Sequence, residues 1–118
     1  MTAELAFPRR GHIYWVRIPG EPRAKRRPAL VVSPDVRNRL AHDVIVVPLS
    51  TNLRMAPTHV RLGPGEGGVT KTSVIKAEQI MTLPKERLQP RSHGGPLSSR
   101  RMAAVEKAVL RAIGVPVE

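Results

Sequence analysis

The apolar segments of this 118-residue chain are short, and proline or glycine stops nearly every one of them. Residues 12–18 run His-Ile-Tyr-Trp-Val-Arg-Ile between Gly11 and Pro19. Residues 29–32 are Ala-Leu-Val-Val before Ser33-Pro34-Asp35, and residues 44–47 are Val-Ile-Val-Val before Pro48. Runs this short, rich in β-branched and aromatic residues and closed by turn formers, predict strands. The unbroken apolar runs at 29–32 and 44–47 predict strands buried on both faces. Residues 58–62 alternate and predict a half-exposed strand. Residues 72–77 and 79–83 read as one further strand with a bend. Residues 36–42 are polar and basic and predict a loop or one helical turn. The glycine-rich run at 63–68 predicts a mobile turn, and it lacks the Gly-Lys-Ser/Thr ending of a phosphate loop.

Only the last segment carries helical periodicity. Met102, Val105, Val109 and Ile113, with Ala108 and Ala112, make one apolar stripe. Ser98 is the expected N-cap, Leu97 and Met102 sit at staple positions, and Gly114 and Pro116 supply the stop. The expectation is a mostly β fold with a C-terminal helix: about five strands in a small, strongly bent sheet or barrel, the helix packed on it. The length suits one domain, residues 1–118, with its core at about 9–114.

Composition narrows the function. Cysteine is absent, which excludes disulfide scaffolds, thiol catalysis and cysteine-rich zinc sites. No apolar run is long enough to span a bilayer and the start lacks the order of a signal peptide, so a cytoplasmic protein is expected. Twenty Lys and Arg against nine Asp and Glu give a net charge of +11, which predicts a polyanionic partner, most simply nucleic acid. The four histidines, His12, His42, His59 and His93, show no metal-pair spacing, and the carboxylates form no close pair.

Chemistry on such a surface must come from cations and hydroxyls. RNA brings its own nucleophile, the 2′-OH, so an enzyme needs to align it, stabilise added negative charge and move two protons. An arginine fork matches two phosphate oxygens. Arg27, in Lys25-Arg26-Arg27-Pro28, is the cation pinned at a strand start, because a residue before proline is held extended. Ser50-Thr51-Asn52 follows the buried run 44–47, where its plain reading is a polar turn. Tyr14 and Trp15 are strand neighbours, so one points in and the other out. Trp15 is expected in the core and Tyr14 at its rim or an interface; an outward ring would stack on a base.

The order Arg10-Gly11-His12-Ile13-Tyr14-Trp15-Val16, Arg26-Arg27-Pro28-Ala29-Leu30-Val31-Val32-Ser33-Pro34-Asp35, Asn38-Arg39, Val44-Ile45-Val46-Val47-Pro48-Leu49-Ser50-Thr51, Pro57-Thr58-His59-Val60 and Ser73-Val74-Ile75-Lys76-Ala77-Glu78-Gln79-Ile80-Met81-Thr82-Leu83 resembles the MazF/PemK toxin family. The resemblance runs from about residue 9 to 114. It implies an SH3-like small barrel with a C-terminal helix, and a homodimer. It implies a metal- and ribosome-independent endoribonuclease of the mRNA interferase type, which cuts single-stranded RNA to 2′,3′-cyclic phosphate and 5′-OH ends with no cofactor. It also implies a MazE-type antitoxin with an acidic tail, and contact with operator DNA only as the toxin–antitoxin complex.

By position, the resemblance puts Arg27 at the phosphate, in charge stabilisation and proton transfer. It puts Ser50 where the family usually has threonine, with Thr51 as the alternative hydroxyl. It assigns RNA contact to His12, Glu21, Arg23, Lys25, Arg26, Asn52 and Gln79. His12 replaces the usual acidic residue after glycine and is a candidate titratable group near the RNA. Two other readings stay open. One is a non-catalytic nucleic-acid binder with the same barrel. The other is a CcdB-like toxin acting on a protein, against which the chain end Gly114-Val115-Pro116-Val117-Glu118 counts, since it lacks the tryptophan-glycine-isoleucine ending of that group.

Overall fold

A computed structural model describes residues 6–22 and 25–118. It is mostly β with a C-terminal helix, the SH3-like arrangement. The strands are β1 Ile13–Val16, β2 Arg27–Val31, β3 Asp43–Ser50, β4 His59–Leu62, β5 Ser73–Lys76, β6 Met81–Pro84 and β7 Leu88–Ser92. A short helix α1, Asp35–Leu40, links β2 to β3, and the long helix α2 is Ser99–Ala112. The antiparallel order is β4-β5-β3-β2-β1-β7, with β6 also on β3.

The long strand β3 organises the curl. Its residues 43–46 pair with β6, from Asp43 against Pro84 to Val46 against Met81. Its last two residues pair instead with β5, Leu49 against Ile75 and Ser50 against Val74. On the other edge it carries β2 in the register Leu30 to Val47. The expected single bent strand is therefore two, split by a tight turn at Ala77–Gln79.

Both faces of the central strands are covered, which is why their sequences are continuously apolar. One cluster gathers Ile13, Leu30, Val47, Leu49, Val60, Leu62 and Ile75 beneath Val105 and Ala108 of α2. The other gathers Tyr14, Val16, Ala29, Val31, Val44, Val46, Leu83 and Leu88 on the opposite side. Helix α2 starts as its sequence predicts: the Ser98 hydroxyl accepts from the Arg101 backbone N–H at 3.1 Å. Leu97, just before the cap, is buried in the same cluster on which Met102 packs. Ile113 leaves the stripe; it caps the helix and is exposed.

Three further expectations are corrected. The sheet has seven strands rather than about five, because the expected fifth strand is two and β7 was not anticipated. Its sequence Leu-Gln-Pro-Arg-Ser contains proline and little apolar surface, and it is an edge strand, where proline is tolerated. The glycine-rich turn is packed: Gly67 is buried, and Glu66 pairs with Arg101 of α2 through Nε at 2.7 Å and Nη2 at 3.2 Å. Finally, Tyr14 is 1% exposed and Trp15 is 43% exposed, the reverse of the expected placement. Tyr14 faces the second cluster, and its hydroxyl accepts from the Arg9 N–H at 3.0 Å. Trp15 shares the Ile13 face but lies beyond the end of the first cluster.

Candidate RNA-cleaving site

The starts of β2 and the ends of β3 and β5 converge on one cavity of about 270 Å³. Its walls include Ile18, Glu21, Arg27, Pro48, Ser50, Lys76, Gln79 and Met81. Arg27 opens β2 opposite Val16. Because Ala29 pairs with Pro48, Arg27 and Ser50 extend from the same face of neighbouring strands.

Two contacts organise the polar side of the cavity. Arg27 Nε donates to Glu21 Oε1 at 2.9 Å and Oε2 at 3.3 Å. That hydrogen bond holds the Glu21 carboxyl below its ordinary pKa, and Lys25, whose Nζ is 3.7 Å away, adds to the effect. Only Nε of the guanidinium is engaged among the described residues, so both terminal nitrogens are left for a ligand. The Ser50 hydroxyl oxygen accepts from the Asn52 backbone N–H at 3.0 Å, which turns the chain and fixes the hydroxyl while leaving its proton to donate.

A second cavity of about 370 Å³ shares Ile18 and Glu21 with the first and adds Arg17, Pro22, Glu86 and Arg87. The two form a basic path across the end of β1. On the far side of the first cavity, Glu78 accepts from Thr58 Oγ1 at 2.8 Å and lies 3.0 Å from His59 Nε2. Burial raises the Glu78 pKa, but the His59 and Thr58 hydrogen bonds outweigh it and the carboxyl ends below its usual range. His59 Nδ1 lies 2.9 Å from the Arg54 carbonyl. The histidine therefore ties the segment after Ser50 to the turn that presents Gln79.

Of the residues singled out in the sequence, Glu21, Arg27, Ser50 and Gln79 meet at this cavity. Thr51 and Asn52 are exposed outside it, and the Asn52 side chain accepts from the Arg54 N–H at 3.2 Å. Lys25 and Arg26 are exposed beside it. Arg23 lies outside the described residues. His12 stands apart: four positions from Val16 on its strand, about 13 Å along it, it packs 3.1 Å from the Gly94 carbonyl. Lys76 was not anticipated. A lone lysine after three buried residues carries no sequence signal; only the break between β5 and β6 brings it to the cavity. Among the described residues no three His, Asp or Glu side chains gather as a metal site.

A small basic barrel whose groove joins an arginine, a hydroxyl and a carboxylate holds the kinds of groups with which a protein can grip a phosphodiester. The comparisons give the family. Residues 9–113 match the model of the PemK-like, MazF-like toxin of type II toxin-antitoxin systems. Endoribonuclease MazF1 of Mycobacterium bovis is 34% identical over 90 residues, covering 76% of this chain and 81% of that protein. Endoribonuclease EndoA of Bacillus subtilis is 34% identical over 85 residues, 68% of this chain and 73% of its own. A mycobacterial endoribonuclease solved with its cognate antitoxin superposes with a TM-score of 0.78 at 32% identity, over 94% of this chain and 99% of that one. The chain belongs to the PemK/MazF toxin family.

Proposed function

We propose that this protein is the toxin of a type II toxin–antitoxin pair and cleaves single-stranded RNA at selected sequences without a metal ion. The observation that carries the reading is the meeting of Arg27, Glu21 and Ser50 at one cavity on a chain of charge +11. The 2′-oxygen attacks the adjacent phosphorus, and the bond from phosphorus to the 5′-oxygen breaks. The 2′-OH proton passes to Glu21, and the departing 5′-oxygen takes a proton from solvent water. A 2′,3′-cyclic phosphate and a 5′-OH result.

Arg27 stays charged throughout, since a guanidinium does not give up its proton in proteins. Its free terminal nitrogens bind the two phosphate oxygens on which charge builds. Glu21, ionised and paired to Arg27, is the acceptor placed for the 2′-OH proton. Ser50 donates to a phosphate oxygen, and Lys76 adds positive charge on the opposite wall. The basic path past Arg17 and Arg87 carries the strand beyond the cut. Base selection belongs to Gln79 and the residues around Glu21, because RNA is read through unstacked bases.

The partners follow. A MazE-type antitoxin covers the groove with an acidic segment, which complements the +11 charge. The toxin acts in the cytoplasm as a homodimer and meets operator DNA only when bound to its antitoxin. Incubating the purified protein with long single-stranded RNA in EDTA, beside Arg27→Ala, tests the reading. Discrete cuts with 5′-OH ends that vanish in the variant support it. Intact RNA from a folded protein that still binds it would overturn cleavage in favour of a binding protein.

A further inference from the structure

Trp15 presents its indole to solvent from the Ile13 face of β1, past the end of the first cluster and beside the edge strand β7. Strand alternation puts Gln89, Arg91 and His93 on that same face, while Leu88 and Ser92 turn inward with Tyr14 and Val16. Trp15, Gln89, Arg91 and His93 together line a cleft of about 220 Å³. The two rings lie 4.8 Å apart with their planes inclined at 43°.

The partner ring is firmly held. The His93 backbone N–H donates to the Ile13 carbonyl at 2.7 Å, and its Nδ1 lies 3.2 Å from the same oxygen. Behind it, Gly68 approaches so closely that a β-carbon there would stand 2.4 Å from the His93 carbonyl oxygen. Burial lowers the His93 pKa, so the imidazole braces the indole as a neutral ring near neutral pH.

We propose that Trp15 is a stacking platform for one unpaired nucleobase of the RNA, at a nucleotide flanking the one that is cut. The platform has the three parts that single-strand readers combine: an open aromatic face, an amide from Gln89 to meet a base edge, and the Arg91 guanidinium for a phosphate. The cleft suits one flat ring system and is far from a drug-sized pocket. It is also distinct from the cleavage cavity. Trp15 pairs with Pro28 while Val16 pairs with Arg27, so indole and guanidinium leave opposite faces of the sheet. RNA that reaches both must pass the end of β1, where Arg17 lies. The inference rests on the ribonuclease reading but adds a contact that cleavage itself does not require.

Trp15 is the only tryptophan, so intrinsic emission reports on this site alone. Arg27→Ala protein, which leaves RNA uncut, is titrated with a single-stranded RNA oligonucleotide of mixed sequence. Tryptophan emission and the anisotropy of a labelled copy of that RNA are both followed. Stacking predicts saturable quenching over the same range as the anisotropy change. Trp15→Ala weakens binding about tenfold, while Trp15→Phe keeps most of it, because a flat ring remains. Should Trp15→Ala fail to fold, the emission arm decides with the tryptophan in place.

RNA binding with unchanged emission overturns the platform while leaving the ribonuclease reading intact, since that reading is settled separately by cleavage in EDTA. Emission that varies with protein concentration alone assigns Trp15 to contact between copies and also overturns it. So does emission that responds to poly-glutamate but not to RNA. No RNA binding at low salt overturns both readings.

Discussion

Arg27 donates to Glu21 through Nε, at 2.9 Å, and neither terminal nitrogen of its guanidinium makes a hydrogen bond among the described residues. The carboxylate orients the arginine and partly neutralises it. A phosphate entering the cavity competes for the same charge. Glu21→Gln therefore tightens RNA binding at low salt and steepens its salt dependence by about one counterion, while cleavage falls because the proton acceptor is gone. Filter binding across a salt series, with single-turnover cleavage alongside, separates the two effects. Weaker binding in the variant would contradict this account.

The Arg27 and hydroxyl assignments make a paired prediction. Arg27→Ala lowers single-turnover cleavage by about 10³-fold or more, the usual cost of removing an arginine from a reacting phosphoryl group. Ser50→Ala costs about 10²-fold, the loss of one placed donor, and Ser50→Thr retains most activity. Thr51→Ala changes little, because that side chain lies outside the cavity. Equal losses at positions 50 and 51 would point to a loop effect instead.

His59 faces an acceptor at each ring nitrogen, the Arg54 carbonyl and the Glu78 carboxylate, and its side chain is only 6% exposed. Replacing it with Ala frees the 51–57 segment and leaves Glu78 with Thr58 alone. The expected cost is about 1–2 kcal/mol of stability, with a larger fall in cleavage than in RNA affinity. Urea denaturation and single-turnover kinetics on the same preparation test this.

Two glycines with nearly the same backbone should respond differently. Gly68 (φ +87°) and Gly20 (φ +87°) both sit in the left-handed region. Alanine at Gly20 meets nothing within 4 Å and pays only the backbone penalty of about 1–2 kcal/mol. Alanine at Gly68 also collides with the His93 backbone, so its cost should exceed about 3 kcal/mol. Thermal melts of the two variants give the comparison directly.

His93 titrates below its ordinary pKa because it is buried. The folded state therefore favours the neutral ring. Its contribution is fully present above the unfolded pKa of about 6.5 and is lost as pH falls through the lower folded value. Stability should decline from pH 7 to pH 5, and His93→Gln should flatten that decline. Trp15 emission should follow the same transition in the unsubstituted protein, since the two rings are in contact.

Much of this protein is legible in its residues. Alternation and β-branching place β1 to β4, the apolar stripe and Ser98 place α2, and the charge of +11 is the ground for expecting a polyanionic partner. These signals are local or additive, so they survive in a linear chain. Arg27 and Ser50 are also legible, one pinned before a proline and one at the end of a buried run.

What the residues alone do not decide is which sides of the strands the packing covers. Trp15 and Tyr14 are adjacent and both aromatic; only the second core cluster, assembled with four other strands, takes Tyr14 in and leaves Trp15 out. Likewise Lys76 joins the cavity through a change of partner along β3, from β6 to β5. The edge strand β7 needs β1 to exist at all. Period and charge are written residue by residue, whereas a site is made by distant strands meeting, and that meeting is a property of the fold.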